Sequence, residues 1–318
     1  MKLVIGFITY NESSAKYLAD FLDSLKEALF FLSEEDFQVL VFDNSDHNNL
    51  LNKEKINSFN ELNPGFLRYI STDNNLGFSR AYNILIREAL NLHAEYFLII
   101  NPDIVLERDC IKNLFEALKS RPDLAAVSPK LRRWDFATNT KTKIIDSCGL
   151  KVFSGLRFRD LGQGIRDEKQ FDKNDILAPS GAAGLFRLKC LEDIKDENGY
   201  FDERFFMYKE DCDLAYRLFI KGYRSTLVPN AILYHDRTAA AKANVFSRLF
   251  SRRKKSRQIR TWSFIGQHLL FIKYWQKQTI FSKFFIICQL LAIFFIALFF
   301  EQFLLKEYRK IKVLTNIK

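Results

Sequence analysis

Over roughly its first 125 residues the chain alternates between two hydrophobic periods, and that alternation leaves few folds open to it. Leu3–Tyr10, Phe37–Asp43 and Glu95–Ile100 are short apolar runs rich in β-branched and aromatic residues. That composition suits strands buried on both faces. Between the first two runs, Leu18, Phe21, Leu22, Leu25 and Leu29 recur at helical spacing. After the third, Ile111, Leu114, Phe115 and Leu118 do the same. Strand and helix in turn predict a doubly wound, mostly parallel α/β sheet. Such sheets bind ligands beyond the carboxyl ends of their strands, so the residues just after each run are where chemistry is expected.

Those residues are polar. Thr9-Tyr10-Asn11-Glu12 closes the first run, Asp43-Asn44-Ser45-Asp46 the second and Asn101-Pro102-Asp103 the third. A solvated turn accounts for any one of them; three at three strand ends point to one site. Further on, residues 135–178 show no clear period. Leu177–Arg187 reads as a strand pair, Glu210–Lys221 as a helix, and Arg224–Tyr234 as a last strand ending at His235-Asp236. With 318 residues, 48% of them hydrophobic, the chain can build a large core plus an appendage. Five cysteines without paired or metal-ligand spacing, and a start that lacks a secretory pattern, make a reduced, cytoplasmic location the expectation.

Moving a sugar off a nucleotide diphosphate needs a pocket for base and ribose, a divalent cation for the leaving diphosphate, and a carboxylate for the acceptor proton. Mg²⁺ or Mn²⁺ binds through one or two carboxylates plus phosphate oxygens. Asp103, fixed behind a strand by Pro102, suits that task, although Asn-Pro-Asp also serves as a plain turn. Six motifs occur in order: Thr9-Tyr10-Asn11-Glu12, Asp43-Asn44-Ser45, Asn75-Leu76-Gly77-Phe78-Ser79-Arg80-Ala81-Tyr82-Asn83, Asn101-Pro102-Asp103, Ser180-Gly181-Ala182 and Phe206-Met207-Tyr208-Lys209-Glu210-Asp211-Cys212-Asp213-Leu214. Over residues 1–236 they resemble the family-2 inverting glycosyltransferases of GT-A fold, in particular their rhamnosyltransferase-like branch.

The resemblance implies roles residue by residue. Thr9, Tyr10 and Glu12 would line the nucleotide pocket, and Asp43 would accept the imide N–H of uracil or thymine. Arg80 would lie near the phosphates, unless it is a surface residue of a helix start. Asp103 would hold the metal. Asn101 replaces the first acid of the family's Asp-x-Asp pattern, so it would contact ribose or water. Asp211 would be the base, with inversion following from a single in-line displacement. Glu210 and Asp213 open the same helix, where acids also suit the helix dipole. His235 would be a second metal ligand or a structural histidine. Processive relatives carry Gln-x-x-Arg-Trp; Gln258-Ile259-Arg260-Thr261-Trp262 has a different spacing, so addition of a single sugar is expected.

Charge divides the chain. Residues 1–236 carry 31 Lys/Arg against 36 Asp/Glu, whereas residues 237–300 carry 12 Lys/Arg and no acid. Seven of the thirteen residues Arg248–Arg260 are basic, and Phe284–Phe300 has only Gln289 as a strongly polar residue. A polybasic stretch beside an apolar one reads as an anchor on an anionic membrane surface, either spanning or interfacial. The expected organisation is a GT-A domain over 1–238, a basic helical linker over 239–280, and an apolar membrane-associated helix with a basic tail over 281–318. The expected partners are a dTDP- or UDP-sugar and a lipid-linked glycan acceptor, in cell-surface polysaccharide synthesis. A nucleotidyltransferase would place a Gly-rich basic loop after the first strand, where Tyr10-Asn11-Glu12 stands. A nucleic-acid-binding protein would use Arg248–Arg260, but the adjoining apolar run argues against it.

Overall fold

The computed structural model describes residues 2–315 apart from 73, 174 and 237–254. Arg248, Arg252, Arg253 and Lys254 of the basic stretch therefore lie outside the described residues. The first half runs β1 (Leu3–Thr9), α1 (Asn11–Ala15), α2 (Leu18–Ala28), β2 (Phe37–Asp43), α3 (Leu51–Leu62), β3 (Leu67–Ser71), α4 (Gly77–Asn91), β4 (Tyr96–Ile100), β5 (Ile104–Leu106) and α5 (Cys110–Ser120). Then come β6 (Leu124–Asp135), β7 (Thr140–Ser147), β8 (Leu150–Phe153), β9 (Arg157–Asp160), β10 (Asp175–Ile176), β11 (Ala183–Arg187), α6 (Leu188–Ile194), α7 (Glu210–Ile220) and β12 (Arg224–His235). The last helices are α8 (Arg257–Tyr274), α9 (Ile280–Phe299) and α10 (Glu307–Thr315).

Ten strands form one sheet in the order β10-β12-β6-β11-β4-β1-β2-β3, with β5 beside β12 and β7 beside β6. β3, β2, β1 and β4 are parallel. β11 enters antiparallel between β4 and β6, and β12 runs parallel to β6. Alternate side chains of β1 enter opposite cores. Leu3, Ile5 and Phe7 meet α2 and α5 through Phe21, Leu25 and Leu114, while Val4 joins Tyr82, Leu85 and Leu214 on the other face. The periodic residues of α2 and α5 are the ones buried.

One expectation is corrected. Leu177–Arg187 is not a strand pair: Ala183–Arg187 is strand, Ala178 makes a single bridge to Leu150, and the chain turns at 181–182. Pro179 has no N–H for a ladder, and it packs so closely on Gly184 that a Cβ there would lie 2.3 Å from it. The stretch 135–178, which has no sequence period, supplies β7, the separate β8–β9 hairpin and β10. Of these, β7 pairs with β6 and β10 with β12, while β8 and β9, four residues each, pair with one another.

The C-terminal helices fold back onto this frame. Leu150, Leu156, Phe205, Cys212, Phe264, Leu269, Ile286 and Ala297 share one core. A buried ion cluster fastens α8. Asp213 accepts from Arg217 (2.8 Å) and Tyr274 (2.6 Å) and pairs with Lys273 (2.9 Å). Lys273 also reaches Asp202 at 2.7 Å. α9 is fastened by shape: the Gly155 N–H donates to Ser282 Oγ (2.9 Å) and its carbonyl accepts from Gln289 Nε2 (2.7 Å). A Cβ on Gly155, whose φ is +79°, would stand 2.7 Å from Phe285 Cβ, so the position requires glycine. Among the described residues α9 is the one helix long and apolar enough to cross a membrane.

Candidate active site

The carboxyl ends of β1 and β2 meet side by side, as the parallel register requires, with Thr9 opposite Asp43. Asp43 is buried and surrounded by donors. Its Oδ1 accepts from Thr9 Oγ1 (2.9 Å), Ser45 N (3.1 Å) and Ser45 Oγ (2.6 Å), and its Oδ2 accepts from Tyr69 OH (2.8 Å). Tyr69, on a strand that sequence reasoning missed, is thereby held with its hydroxyl pKa pushed up to about 12 by burial and by Asp43. Oδ2 keeps one lone pair for a further donor. Tyr10 is exposed at the mouth. Glu12 accepts from Asn49 Nδ2 at 2.9 Å, which ties it to the loop after β2.

The Asn75–Asn83 motif has a visible structural task. Asn44 accepts from Leu76 N and donates to the Gly77 carbonyl, joining β2 to the start of α4. Phe78 N and Ser79 Oγ donate to the carbonyls of Phe206 and Phe205 (2.8 and 2.6 Å), and Asn83 exchanges two bonds with Phe201. Gly77, at φ +75°, lies so close that a Cβ would meet the Phe206 carbonyl at 2.4 Å. α4 thus clasps the loop that leads to α7. Arg80 is mostly exposed and pairs with Glu203 at 3.2 Å, another partner the sequence did not reveal.

Asn101 donates its N–H to the Ala182 carbonyl (2.9 Å), and Gly181 N donates to Asp211 Oδ2 (3.1 Å). The 180–182 turn therefore brings the Asn101–Asp103 segment and Asp211 to one place. Asp103 Oδ2 lies 3.3 Å from His235 Nε2, whose Nδ1 is 2.8 Å from Asp146 Oδ2. Asp103 Oδ1 is buried and has no hydrogen-bond partner. Burial alone would lower the His235 pKa, but Asp103 and Asp146 outweigh it and push it up to about 10. Asp146 lies in the stretch without a period, so nothing in the sequence pointed to it. Among the described residues no group of three metal-ligating side chains gathers. Asp103 and His235 form a pair, and Asp146 orients the imidazole from behind, as carboxylates behind metal-binding histidines do.

The start of α7 is strained. Tyr208 and Lys209 both have positive φ, +70° and +78°, a conformation that non-glycine residues adopt at functional turns. This turn separates the roles of three neighbouring acids. Asp213 is spent on the ion cluster with α8. Glu210 is buried with an unpartnered Oε2, and burial, then the adjacent Asp211 carboxylate, push its pKa well up, so it suits a proton-holding role. Asp211 is half-buried, with Oδ1 on Cys212 N and Oδ2 on Gly181 N. The buried Tyr82 hydroxyl, raised chiefly by burial, also feels Asp103 and Glu210, which places both near one ring. α8 backs the turn: Phe206 stacks on Trp262 with ring centroids 4.9 Å apart, and a Cβ on Gly266 would lie 2.7 Å from the Tyr208 carbonyl.

Comparison with known proteins bears on the family and the fold. The family model described as Glycosyl transferase family 2 matches residues 4–194. That range takes in Thr9 through Asp103 and Ser180-Gly181 but ends before Asp211 and His235. An N-acetylglucosaminyl-diphospho-decaprenol L-rhamnosyltransferase of Mycobacterium tuberculosis is 25% identical over 204 residues, 60% of this chain and 65% of the relative. The chain thus spans slightly less than two thirds of that relative's length. Rhamnosyltransferase WbbL of Escherichia coli is 28% identical over 250 residues, 73% of this chain and 85% of the relative. Among solved structures, the mannosyltransferase PcManGT from Pyrobaculum calidifontis, in complex with GDP-Man and Mn²⁺, superposes with a TM-score of 0.51. Its identity is 16%, and the match covers 99% of this chain and 86% of that one. At that identity the likeness is one of fold, and the fold is the GT-A type of α/β sheet.

Proposed function

The chain belongs to glycosyl transferase family 2, and from that premise we propose that it transfers one sugar, with inversion, from a nucleotide diphosphate sugar to a lipid-linked glycan. The names of the relatives favour rhamnose as the sugar and a diphospho-lipid as the acceptor's carrier; dTDP or UDP is the nucleotide to test. The reaction belongs to surface polysaccharide synthesis and takes place on the cytoplasmic face of the membrane. Residues 1–238 do the chemistry, and 239–280 and 281–318 hold it there.

The observation that carries the reading is the bare Oδ1 of Asp103 beside His235, joined through the 180–182 turn to Asp211. A buried carboxylate oxygen without a donor is costly unless something positive faces it. Asp103 and His235 are the residues that would hold Mg²⁺ or Mn²⁺, ions that take oxygen and imidazole ligands. When bound, such an ion neutralises charge on the leaving diphosphate. Thr9, Tyr10, Glu12 and Asp43 hold the nucleotide, with Asp43 Oδ2 accepting the base's imide N–H. Asn101 contacts the ribose, and Arg80 exchanges Glu203 for phosphate. Asp211 takes the proton from the acceptor hydroxyl as that oxygen attacks the anomeric carbon opposite the diphosphate. The test is a donor screen: purified protein with Mg²⁺ or Mn²⁺ and a panel of nucleotide sugars, reading nucleotide diphosphate release. A donor turned over by the native protein and not by Asp103→Ala supports the reading; no release from any donor overturns it.

A further inference from the structure

α9 is apolar on every side, but its two faces meet different surroundings. One stripe, Ser282, Ile286, Gln289, Ile293 and Ala297, faces the protein. Ser282 and Gln289 grip Gly155, Ile286 and Ala297 are fully buried, and Ile293 packs on the adjoining core. That spacing follows one side of a helix from its first turn to its last. Just past the helix, Glu301 is buried in an ion pair with Arg260 at 2.8 Å. The opposite stripe, Phe281, Phe284, Ile287, Leu291, Phe295 and Leu298, is exposed.

Twenty residues give about 30 Å, long enough to cross a bilayer. The docking forbids that course. A crossing α9 would carry the β8–β9 hairpin into hydrocarbon with it, because Gly155 is bound to the helix at two points. Arg157, whose guanidinium sits 5.5 Å from the Phe285 ring centre, and the open edges of a two-stranded hairpin would then meet lipid tails. At headgroup level both stay wet. Charge agrees with that placement: residues 256–300 contain no Asp or Glu, and Lys283 stands 5.4 Å from the Trp275 ring centre, beside the exposed stripe. A helix that buries one face in its own protein and offers the other, apolar one between basic and aromatic flanks presents an anionic bilayer with what an interfacial amphipathic helix does.

Taking the membrane reading above as given, we propose that α9 lies flat in the membrane interface. Its outer stripe enters the acyl boundary and its inner stripe rests on the β8–β9 hairpin, so the protein sits on one leaflet. Cys288 is exposed on α9, and the other four cysteines are buried. Positions 281, 288 and 295 fall at seven-residue intervals on nearly one face, each step advancing about 10 Å along the axis. A fluorophore is placed on Cys288 of the full-length protein, or on Phe281→Cys or Phe295→Cys in a Cys288→Ser background. Quenching is then read in phosphatidylglycerol vesicles with quenchers set at graded depths. The expected result is three labels at one shallow depth. A depth that changes by about 10 Å per step overturns the flat arrangement and leaves membrane attachment standing. Failure to bind the vesicles overturns both, while nucleotide release by the same samples reports separately on sugar transfer.

Discussion

Asp43 and Asp103 both follow strands of the sheet, and both are ringed by other polar groups, yet they are finished to different degrees. Asp43 has four donors from the protein itself. Asp103 leaves one buried oxygen with none. On the function proposed above, the first carboxylate belongs to a surface built before any ligand arrives, and the second to one that the ligand would complete. Mutations should therefore act differently at the two places.

Asp103→Ala should abolish turnover, with losses beyond roughly 10³-fold because several kcal/mol of charge stabilisation go with it. Its thermal unfolding should change only through the Oδ2–His235 pair, since no protein donor depends on Oδ1. Retained activity at saturating Mn²⁺ would erase the contrast with Asp43. Asp211→Asn should lower kcat by about 10²–10⁴-fold at nearly unchanged donor affinity, measured by steady-state kinetics alongside nucleotide titration. Asp213→Asn should instead lower stability through α8. If Asp213→Asn were the inactive variant and Asp211→Asn turned over normally, the base would have been misplaced by two residues.

Asp43→Ala should weaken donor binding about 10- to 100-fold with or without metal and also destabilise the fold by about 1–3 kcal/mol, since Thr9, Ser45 and Tyr69 lose their shared acceptor. Calorimetric titration and thermal melts read the two effects apart. Next in size is an acid effect on the α8 attachment. Burial works to raise the Asp202 pKa, but Arg204 and Lys273 outweigh it and hold it at about 2. Its stabilisation is present above the ordinary carboxylate value of 3.8 and is lost as pH falls through that value towards 2. The loss should be about 2 kcal/mol, and Lys273→Met should flatten the acid limb of the stability curve. The smallest effect belongs to Tyr69→Phe, about 1 kcal/mol and so about fivefold in donor affinity, because Asp43 keeps three other donors.

What the sequence disclosed follows the range of its signals. α2 and α5 are periodic and β1, β2 and β4 are short unbroken apolar runs, and the polar clusters behind those strands could be placed by adjacency alone. Pairings between distant segments left no trace: Asp146 with His235, Tyr69 with Asp43, and Glu203 with Arg80 depend on the fold bringing them together. The division of labour among Glu210, Asp211 and Asp213 was illegible for a related reason. All three are acids at a helix start, and only their burial and partners tell them apart. The Leu177–Arg187 error came from reading apolar character as strand across Pro179 and Gly181, where the chain turns to meet Asp211.

Gly155 ties α9 to the hairpin, the Asp213 cluster ties α8 to α7, and one core packs these elements together, with Asp211 at the start of α7. A soft tether would let the reacting groups wander over a range of heights above the lipid. In the interfacial arrangement proposed above, a stiff mount would fix the altitude of the carboxylate, so the protein would work like a gauge resting on a table. Acceptor hydroxyls held at that one height would come within reach, and a chain lengthened by the sugar just added would carry its new end past the mark.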